Sequence, residues 1–296
     1  MRRGRTIHAF AADLEAAQAL ASGAGFSCHP IEVHRFPDGE SLVRVEPSEP
    51  GAVIYCRLGH PNAKLVELLL AADALADSAG EQPTLVAPYL PYMRQDKAFH
   101  AGEAVSQRTI GRLLAGAFAS VITVEPHLHR TAALDGIMPG TRAVALSAAS
   151  ALAALVEDAG RAPLLVGPDI EASALVAAVA EVSRCEWLHL DKVREGDRAV
   201  VVEQLSQRSV RGRAVVLLDD ICSTGATLIA AAELLRDAGA ASIEALVVHA
   251  LFDDGTYAAM RAGGIERVRS SDALPHSTNA ASLTTLLASA LRGGSA

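Results

Sequence analysis

The most informative stretch of this chain reads Ala214-Val-Val-Leu-Leu-Asp-Asp-Ile-Cys-Ser-Thr-Gly-Ala-Thr-Leu228. The continuous apolar run at residues 214–218 predicts a strand buried on both faces, as in a parallel sheet. Apolar residues after the loop recur with the spacing of one helix face, at Leu228, Ala231, Ala232 and Leu235. The stretch therefore predicts a strand, a loop and a helix in succession.

The loop in this stretch has the composition of a phosphate site, because backbone N–H groups at a helix start, with hydroxyl groups beside them, bind phosphate dianions. The loop residues are Ser223, Thr224, Gly225, Ala226 and Thr227. The adjacent carboxylates of Asp219 and Asp220 cannot serve the same anion, so they must face sugar hydroxyls or a divalent metal. Together the loop and the acidic pair predict a site for a pentose 5-phosphate.

A simpler interpretation is that Asp219 and Asp220 cap the next helix and that Gly225 only turns the chain, since acidic residues often precede helices. The apolar strand before the pair and the Ser-Thr-Gly-Ala-Thr run after it favour the phosphate site. Cys222 also lies in this loop, but no histidine is near it in sequence. We expect it to fill space and not to act as a nucleophile.

Length and composition limit the class of protein. The 296 residues suffice for two domains with separate cores. Hydrophobic residues make up 50% and aromatic residues 4% of the chain, so Ala, Val and Leu must build those cores. The net charge of −8 argues against a nucleic-acid or membrane-surface partner. No apolar run suits a membrane span or a signal peptide, so we expect a cytoplasmic protein.

Strand-like and helix-like segments alternate along the chain, which predicts an α/β fold. Residues 33–45 interrupt this alternation and indicate a β-hairpin with a turn at Pro37–Gly39. A linker carries Pro139 and Gly140, and we place the domain boundary there. The prediction is a first domain at 1–141 and a second at 142–296, each a mainly parallel sheet flanked by helices.

Two polar segments of the first half follow predicted strands. One is a proline-stiffened loop that contains Arg94, Gln95 and Asp96, and the other begins at Glu125 and contains His127. Ligands of open α/β sheets bind at the carboxyl ends of the strands. Both segments are therefore candidate ligand sites, although His127 alone could equally cap the turn that follows it.

The loop at 223–227 resembles the ribose-phosphate binding loop of the type I phosphoribosyltransferase fold. Taken in order, the motifs resemble the ribose-phosphate pyrophosphokinase family over nearly the whole chain. The run Phe36-Pro-Asp38-Gly-Glu40 resembles that family's adenine-contacting hairpin. The run Arg94-Gln95-Asp96 resembles its ATP-binding loop.

The resemblance extends to single residues on both sides of the predicted boundary. His127 corresponds to a histidine near the ATP phosphates and the metal, and Asp169 to a metal or ribose ligand. Lys192 and Arg194 correspond to a loop pair that stabilises the transferred group. Ser223 stands where longer bacterial members have an acid, which is typical of shorter, archaeal-like members.

The resemblance implies two tandem type I phosphoribosyltransferase-like domains, the first on the ATP side and the second binding ribose 5-phosphate. The implied reaction transfers the β,γ-diphosphoryl group of Mg-ATP to the 1-hydroxyl of ribose 5-phosphate and gives phosphoribosyl pyrophosphate and AMP. The catalytic residues would be Lys192, Arg194 and His127, with His127 and Asp169 as Mg²⁺ ligands. A homodimer, or a multiple of it, is also implied.

Two alternatives remain open from the residues. A phosphoribosyltransferase that consumes phosphoribosyl pyrophosphate shares the loop at 223–227, but it needs only one such domain. A catalytically silent relative that regulates an active enzyme is the second alternative. The presence of Lys192, Arg194 and His127 argues against it.

Overall fold

The computed structural model describes residues 5–128, 133–157, 162–190 and 210–293. These residues form two compact units. The first unit runs through Leu146 and also includes the segment from Leu283 onward, and the second is Ser147–Ser282. No helix within the described ranges is long and apolar enough to cross a membrane.

The described part of the first unit contains a seven-stranded sheet. Its strands are β1 (Thr6–Phe10), β2 (Ser27–Arg35), β3 (Ser41–Arg44), β4 (Val53–Tyr55), β5 (Thr84–Val86), β6 (Ser120–Val124) and β7 (Arg142–Leu146). Their order across the sheet is β3-β2-β1-β4-β5-β6-β7. All neighbours are parallel except β2 and β3, which form the predicted antiparallel hairpin.

In the ranges that the structure describes, three helices connect these strands: α1 (Leu14–Ala24), α2 (Pro61–Ala79) and α3 (Ser106–Ala117). Leu68 and Leu75 of α2 pack with Leu85 and Phe118 in one fully buried core. The C-terminal helix (Thr284–Gly293) also belongs to this unit, because it packs on α1 and its Arg292 donates a hydrogen bond to a carbonyl of that helix.

The second unit contains, within its described residues, a six-stranded sheet. Its strands are β8 (Leu164–Gly167), β9 (Trp187–His189), β10 (Ala214–Cys222), β11 (Ser242–Ala250), β12 (Arg267–Ser271) and β13 (Asn279–Ala281). Its helices are α4 (Ala149–Glu157), α5 (Ser173–Ser183), α6 (Ala226–Asp237) and α7 (Asp254–Ala262). The order is β13-β12-β11-β10-β8-β9, and every pair is parallel.

The strand order of the second sheet places its ligand crevice. β9, which follows β8 in sequence, lies on one side of β8 in the sheet, and β10 lies on the other side. Ligands of open parallel sheets bind at such a switch point, outside the carboxyl ends of the strands. The carboxyl ends of β8 and β10 therefore define the candidate site of this unit.

The α/β architecture with two mainly parallel sheets confirms the predicted fold class. The division between the units differs in two places from the predicted boundary after residue 141. Residues 142–146 form β7 and complete the first sheet, because they pair in register with β6. The C-terminal helix, which the prediction assigned to the second domain, packs in the first unit.

Candidate active site

The carboxyl end of β10 carries the acidic pair. The apolar run had predicted a strand that ends at Leu218, before the acidic pair. The strand instead continues to Cys222, so Asp219 and Asp220 lie within it. Pairing with β11 extends this strand, since Asp219 is in register with Val247 and Ile221 with His249. Both carboxylates are half-buried, and the peptide N–H of Asp220 donates to Asp219 Oδ1 at 2.9 Å.

Asp169 follows β8, the direct neighbour of β10, and lies close enough to Asp219 to raise its pKa. Its Oδ1 atom accepts hydrogen bonds from the peptide N–H groups of Glu171 at 3.0 Å and Ala172 at 3.4 Å. These two N–H groups orient the Asp169 carboxylate. The structure thus brings three predicted site residues together at the switch point.

This cluster carries an excess of negative charge. The pKa of Asp219 is raised to about 8, first by burial and then by Asp220 and Asp169. Hydroxyl donors or a cation would relieve that repulsion. In the described part of the chain, no group of three or more His, Cys, Asp or Glu side chains is arranged to hold a metal ion. The cluster therefore suits sugar hydroxyls, or a metal that also binds substrate oxygens.

The predicted phosphate loop joins β10 to α6. Thr224, Ala226 and Thr227 are exposed, so the start of α6 is open to a ligand. Gly225 has a φ of 69°, in the left-handed region that disfavours residues with a Cβ atom. A Cβ atom there would lie 3.0 Å from Met260 Cγ and 3.1 Å from Thr256 Cγ2. Both the backbone conformation and the close packing on α7 therefore favour glycine at this position.

Cys222 is buried beneath the loop, with its Sγ atom 3.8 Å from Met260 Sδ. Burial, and then the charge of Asp219, raise the pKa of this thiol to about 12. A thiol that stays protonated at neutral pH is a poor nucleophile. The structure supports the prediction that Cys222 fills space.

Two of the predicted ATP-side segments leave neighbouring strands of the first unit. The loop with Arg94 follows β5, and the segment with His127 follows β6. They start side by side, because the Val124 N–H donates to the Pro88 carbonyl at 3.2 Å. Arg94 is exposed and His127 is half-buried.

The loop after β5 is fixed where it meets α3. The Gln95 carbonyl accepts from the Gln107 N–H at 3.2 Å, and Gln95 Oε1 accepts from Ser106 Oγ at 3.1 Å. The backbones of Tyr92 (φ 66°) and Glu125 (φ 38°) are in the left-handed region, which is uncommon for residues other than glycine. Backbone strain of this kind concentrates at functional sites. Both residues lie in segments that the sequence marked as candidate ligand sites, but no sequence signal indicated their backbone conformation.

The third predicted ATP-side element is the hairpin tip. Its five residues, 36–40, are closed by hydrogen bonds from the Phe36 N–H to the Glu40 carbonyl at 2.8 Å and from the Gly39 N–H to the Phe36 carbonyl at 2.9 Å. Asp38 Oδ1 accepts from the Glu40 N–H at 3.1 Å. Phe36 is 41% exposed, and its ring meets His34 edge-on.

The hairpin does not leave the sheet beside the other two segments. In the strand order, β1 and β4 separate β2 from β5. Three strand spacings of about 4.8 Å separate the two strands laterally by roughly 14 Å, and their carboxyl ends lie at least that far apart because β2 continues to Arg35, past the level of Val86. Within the first unit, the structure therefore brings the Arg94 and His127 segments together and keeps Phe36 away from them.

Some predicted residues are not placed by the structure. Lys192 and Arg194 lie outside the described residues. The predicted metal ligands His127 and Asp169 belong to different units. Their joint binding of Mg²⁺ stays a prediction.

Two family models match the chain. The model of the N-terminal domain of ribose phosphate pyrophosphokinase matches residues 6–117. The model of the phosphoribosyl transferase domain matches residues 141–275. The chain thus carries both halves in the predicted order.

Curated relatives match over most of their length. The ribose-phosphate pyrophosphokinase of Methanopyrus kandleri is 34% identical over 250 residues, which cover 83% of this chain and 84% of the relative. That of Methanobrevibacter smithii is 32% identical over 276 residues, covering 88% and 91%. Both organisms are archaea, as the similarity to archaeal-like members predicted.

A solved structure shows the same fold. The phosphoribosylpyrophosphate synthetase of Mycobacterium smegmatis superposes with a TM-score of 0.83 over 98% of both chains, at 23% identity. The identity and coverage of the curated relatives decide the family as well as the fold. The chain belongs to the ribose-phosphate pyrophosphokinase family.

Proposed function

We propose that this protein is a ribose-phosphate diphosphokinase that converts Mg-ATP and ribose 5-phosphate into AMP and phosphoribosyl pyrophosphate. One observation carries the proposal: the acidic pair of β10 lies two residues before a loop whose glycine starts a helix with an open N-terminus. These two features suit the two ends of one ligand, since a pentose 5-phosphate has hydroxyls at one end and a dianion at the other.

The second unit would bind the sugar phosphate. The exposed N-terminus of α6 and the hydroxyls of Ser223, Thr224 and Thr227 suit the 5-phosphate. Asp219 and Asp220 would accept hydrogen bonds from the ribose hydroxyls. The raised pKa of Asp219 is consistent with a site that is completed by hydroxyl donors or a cation.

The first unit would bind ATP. Arg94, Gln95 and Asp96 leave β5 next to the segment with His127, so a triphosphate could meet both. The adenine is assigned to the hairpin tip, where Phe36 offers an exposed ring and Asp38 and Glu40 offer carboxylates. Under this proposal, the first unit is the ATP-side domain and the second unit is the sugar-phosphate domain, as expected from the sequence.

In the proposed reaction, the 1-hydroxyl oxygen of the sugar forms a bond to the β-phosphorus of ATP. The bond from that phosphorus to the α,β-bridging oxygen breaks, AMP leaves with the oxygen, and the hydroxyl proton is lost. Lys192 and Arg194 would stabilise the charge that develops on the transferred group. Mg²⁺, when bound, neutralises phosphate charge, and His127 and Asp169 are the side chains proposed to hold it.

The working unit is proposed to be a homodimer or a multiple of one. The hairpin tip leaves the sheet three strands away from the Arg94 segment of its own unit. A neighbouring copy that supplies its hairpin would complete the nucleotide site, as the resemblance implies. A cytoplasmic location, expected from the sequence, is part of the same proposal.

Neither alternative gains support from the comparisons. A phosphoribosyltransferase would not need the N-terminal domain that residues 6–117 match. A silent relative would not need Lys192, Arg194 and His127, all of which the sequence retains.

The function is tested by incubating purified protein with MgCl2, ATP and ribose 5-phosphate and by separating the nucleotides chromatographically. We expect AMP to appear only when ribose 5-phosphate is present. A protein that leaves ATP intact but consumes phosphoribosyl pyrophosphate when a nucleobase is added would be a phosphoribosyltransferase.

A further inference from the structure

Glu67 is a charged residue on the buried face of α2, among apolar neighbours that include Leu65, Leu68 and Ala71. Its side chain is only 7% exposed. A carboxylate is rarely buried unless it is paired, because losing its hydration is costly. The partners of Glu67 therefore indicate why a charge is kept at this position.

Those partners lie at the two ends of the hairpin tip. Arg35 donates from Nε to Glu67 Oε1 at 2.8 Å and from Nη2 to Oε2 at 3.2 Å, and Ser41 Oγ donates to Oε1 at 3.1 Å. Arg35 and Ser41 face each other as a cross-strand pair, and they directly flank residues 36–40. One buried carboxylate thus holds both strands where they enter the tip.

Apolar packing between the hairpin and α2 is incomplete, although Val33 and Val43 pack against the core that contains Leu65 and Leu68. A cavity of about 480 Å³ is lined by Ile31 and Val33 of β2 and by Lys64 and Glu67 of α2. Because this space is open, the hairpin and the helix are not held together there by a filled core. The hydrogen bonds of Glu67 join the two elements beside this cavity.

The tip itself is a closed turn, with the Phe36 N–H bonded to the Glu40 carbonyl. A closed turn moves as a unit on its two ends. The direction in which Phe36 and Asp38 point then depends on how those ends are held. Glu67 holds both of them.

We propose that Glu67 is a positioning residue for the nucleotide, because its carboxylate clamps Arg35 and Ser41 and so orients the tip that meets the adenine. This inference rests on the proposed function of the tip. Glu67 itself would contact no substrate and would act only through Arg35 and Ser41. The hydrogen bonds from Arg35 hold the pKa of Glu67 below its usual range, so the clamp is charged at neutral pH.

The test replaces Glu67 by glutamine, which keeps the size and one acceptor but removes the charge and the second acceptor. The last cross-strand pair should fray, so backbone amides of residues 36–44 should exchange faster by hydrogen–deuterium exchange. If the tip then occupies its binding geometry about a tenth of the time, KM for ATP rises about tenfold. The kcat and the KM for ribose 5-phosphate should change less than about twofold.

The matched control is Glu32→Gln. Glu32 pairs with Arg44 across the same two strands, at 3.2 Å, but both side chains are mostly exposed and the pair lies away from the tip. Exposed ion pairs contribute little to the stability of a fold. This variant should leave both the exchange and the KM for ATP unchanged. Ser41→Ala, which removes one of the three hydrogen bonds, should raise KM by a smaller factor than Glu67→Gln.

The outcomes separate the clamp from the nucleotide assignment. Unchanged exchange in Glu67→Gln would overturn the clamp. Faster exchange with an unchanged KM for ATP would leave the clamp standing but overturn the assignment of the tip to adenine. Equal losses for both substrates with a lower thermal midpoint would overturn the positioning role, because general destabilisation then explains them.

Discussion

Lys192 and Asp220 have different tasks in the proposed reaction, and alanine variants separate them. Lys192 would meet charge that grows only as the β-phosphoryl group moves. Lys192→Ala should therefore lower kcat by a factor of about 10² to 10³, with little change in KM for ribose 5-phosphate. Asp220 would hold ribose hydroxyls before and during transfer, so Asp220→Ala should raise that KM. Steady-state kinetics in which Lys192→Ala changes only KM would make it a substrate-gathering residue.

The charge cluster at Asp219 predicts a pH-dependent stability. The ordinary pKa of 3.8 applies to the unfolded chain, whereas burial and then the neighbouring carboxylates raise the folded pKa to about 8. Between these values the unfolded chain ionises first, so the group destabilises the fold progressively as pH rises toward 8 and by a constant amount above it.

Asp219→Asn removes this effect while keeping the Oδ1 acceptor for the Asp220 N–H. In thermal denaturation without divalent cations, its midpoint should exceed that of the wild type by an amount that grows from pH 4 to pH 8 and then levels off. Parallel curves for the two proteins over this range would mean that Asp219 is ionised in the folded protein.

At the scale of elements, the turn into α6 depends on Gly225. Its φ of 69° costs a residue with a Cβ atom about 1–2 kcal/mol, and the side chains of Met260 and Thr256 would have to shift to accept that atom. We expect Gly225→Ala to lower the free energy of unfolding by at least this amount in urea titrations. It should also raise KM for ribose 5-phosphate, because the loop must shift.

Gly212 provides the matched control in the same unit. Its φ is 73°, but a Cβ atom there would meet nothing within 4 Å. Gly212→Ala should show the backbone cost without the change in KM. If both variants bind the sugar phosphate as the wild type does, close packing under the loop does not position it.

The elements that the sequence predicted well were marked locally. The apolar run at 214–218 indicated β10, and Pro37–Gly39 indicated the hairpin turn. β12 was missed because most of it is polar, and tertiary partners stabilise it. Arg269 Nη2 donates to Glu244 at 2.9 Å, and Ser271 Oγ donates to the Val248 carbonyl at 2.7 Å.

In the candidate site, too, the sequence predicted the parts that are marked locally and missed those that depend on distant partners. The acidic pair and the phosphate loop are contiguous in sequence, and so they could be identified together. Glu67 was missed, because its partners Arg35 and Ser41 lie 32 and 26 residues away. The approach of Asp169 to Asp219 likewise depends on the pairing of β8 with β10, which no local pattern specifies.

At the scale of the whole molecule, a site shared between copies can be tested by mixing inactive variants. At substrate concentrations well below the raised KM values, Phe36→Ala loses ATP binding at the hairpin tip and Asp220→Ala loses sugar-phosphate binding, so each variant alone is nearly inactive. In a mixed dimer, the intact hairpin of one copy meets the intact remainder of the other and restores one site of two. Random pairing then gives about a quarter of wild-type activity after mixing and refolding. A mixture that stays inactive would place each complete site within one chain.

The central claim concerns which bond of ATP is broken and what receives the diphosphoryl group. Phosphorus-31 NMR of a reaction with Mg²⁺, ATP and ribose 5-phosphate follows every phosphate at once. We predict equal amounts of AMP and phosphoribosyl pyrophosphate, and no ADP. When ribose 5-phosphate is omitted, the ATP signals should stay unchanged. Formation of ADP, or AMP that appears without ribose 5-phosphate, would contradict diphosphoryl transfer to the sugar.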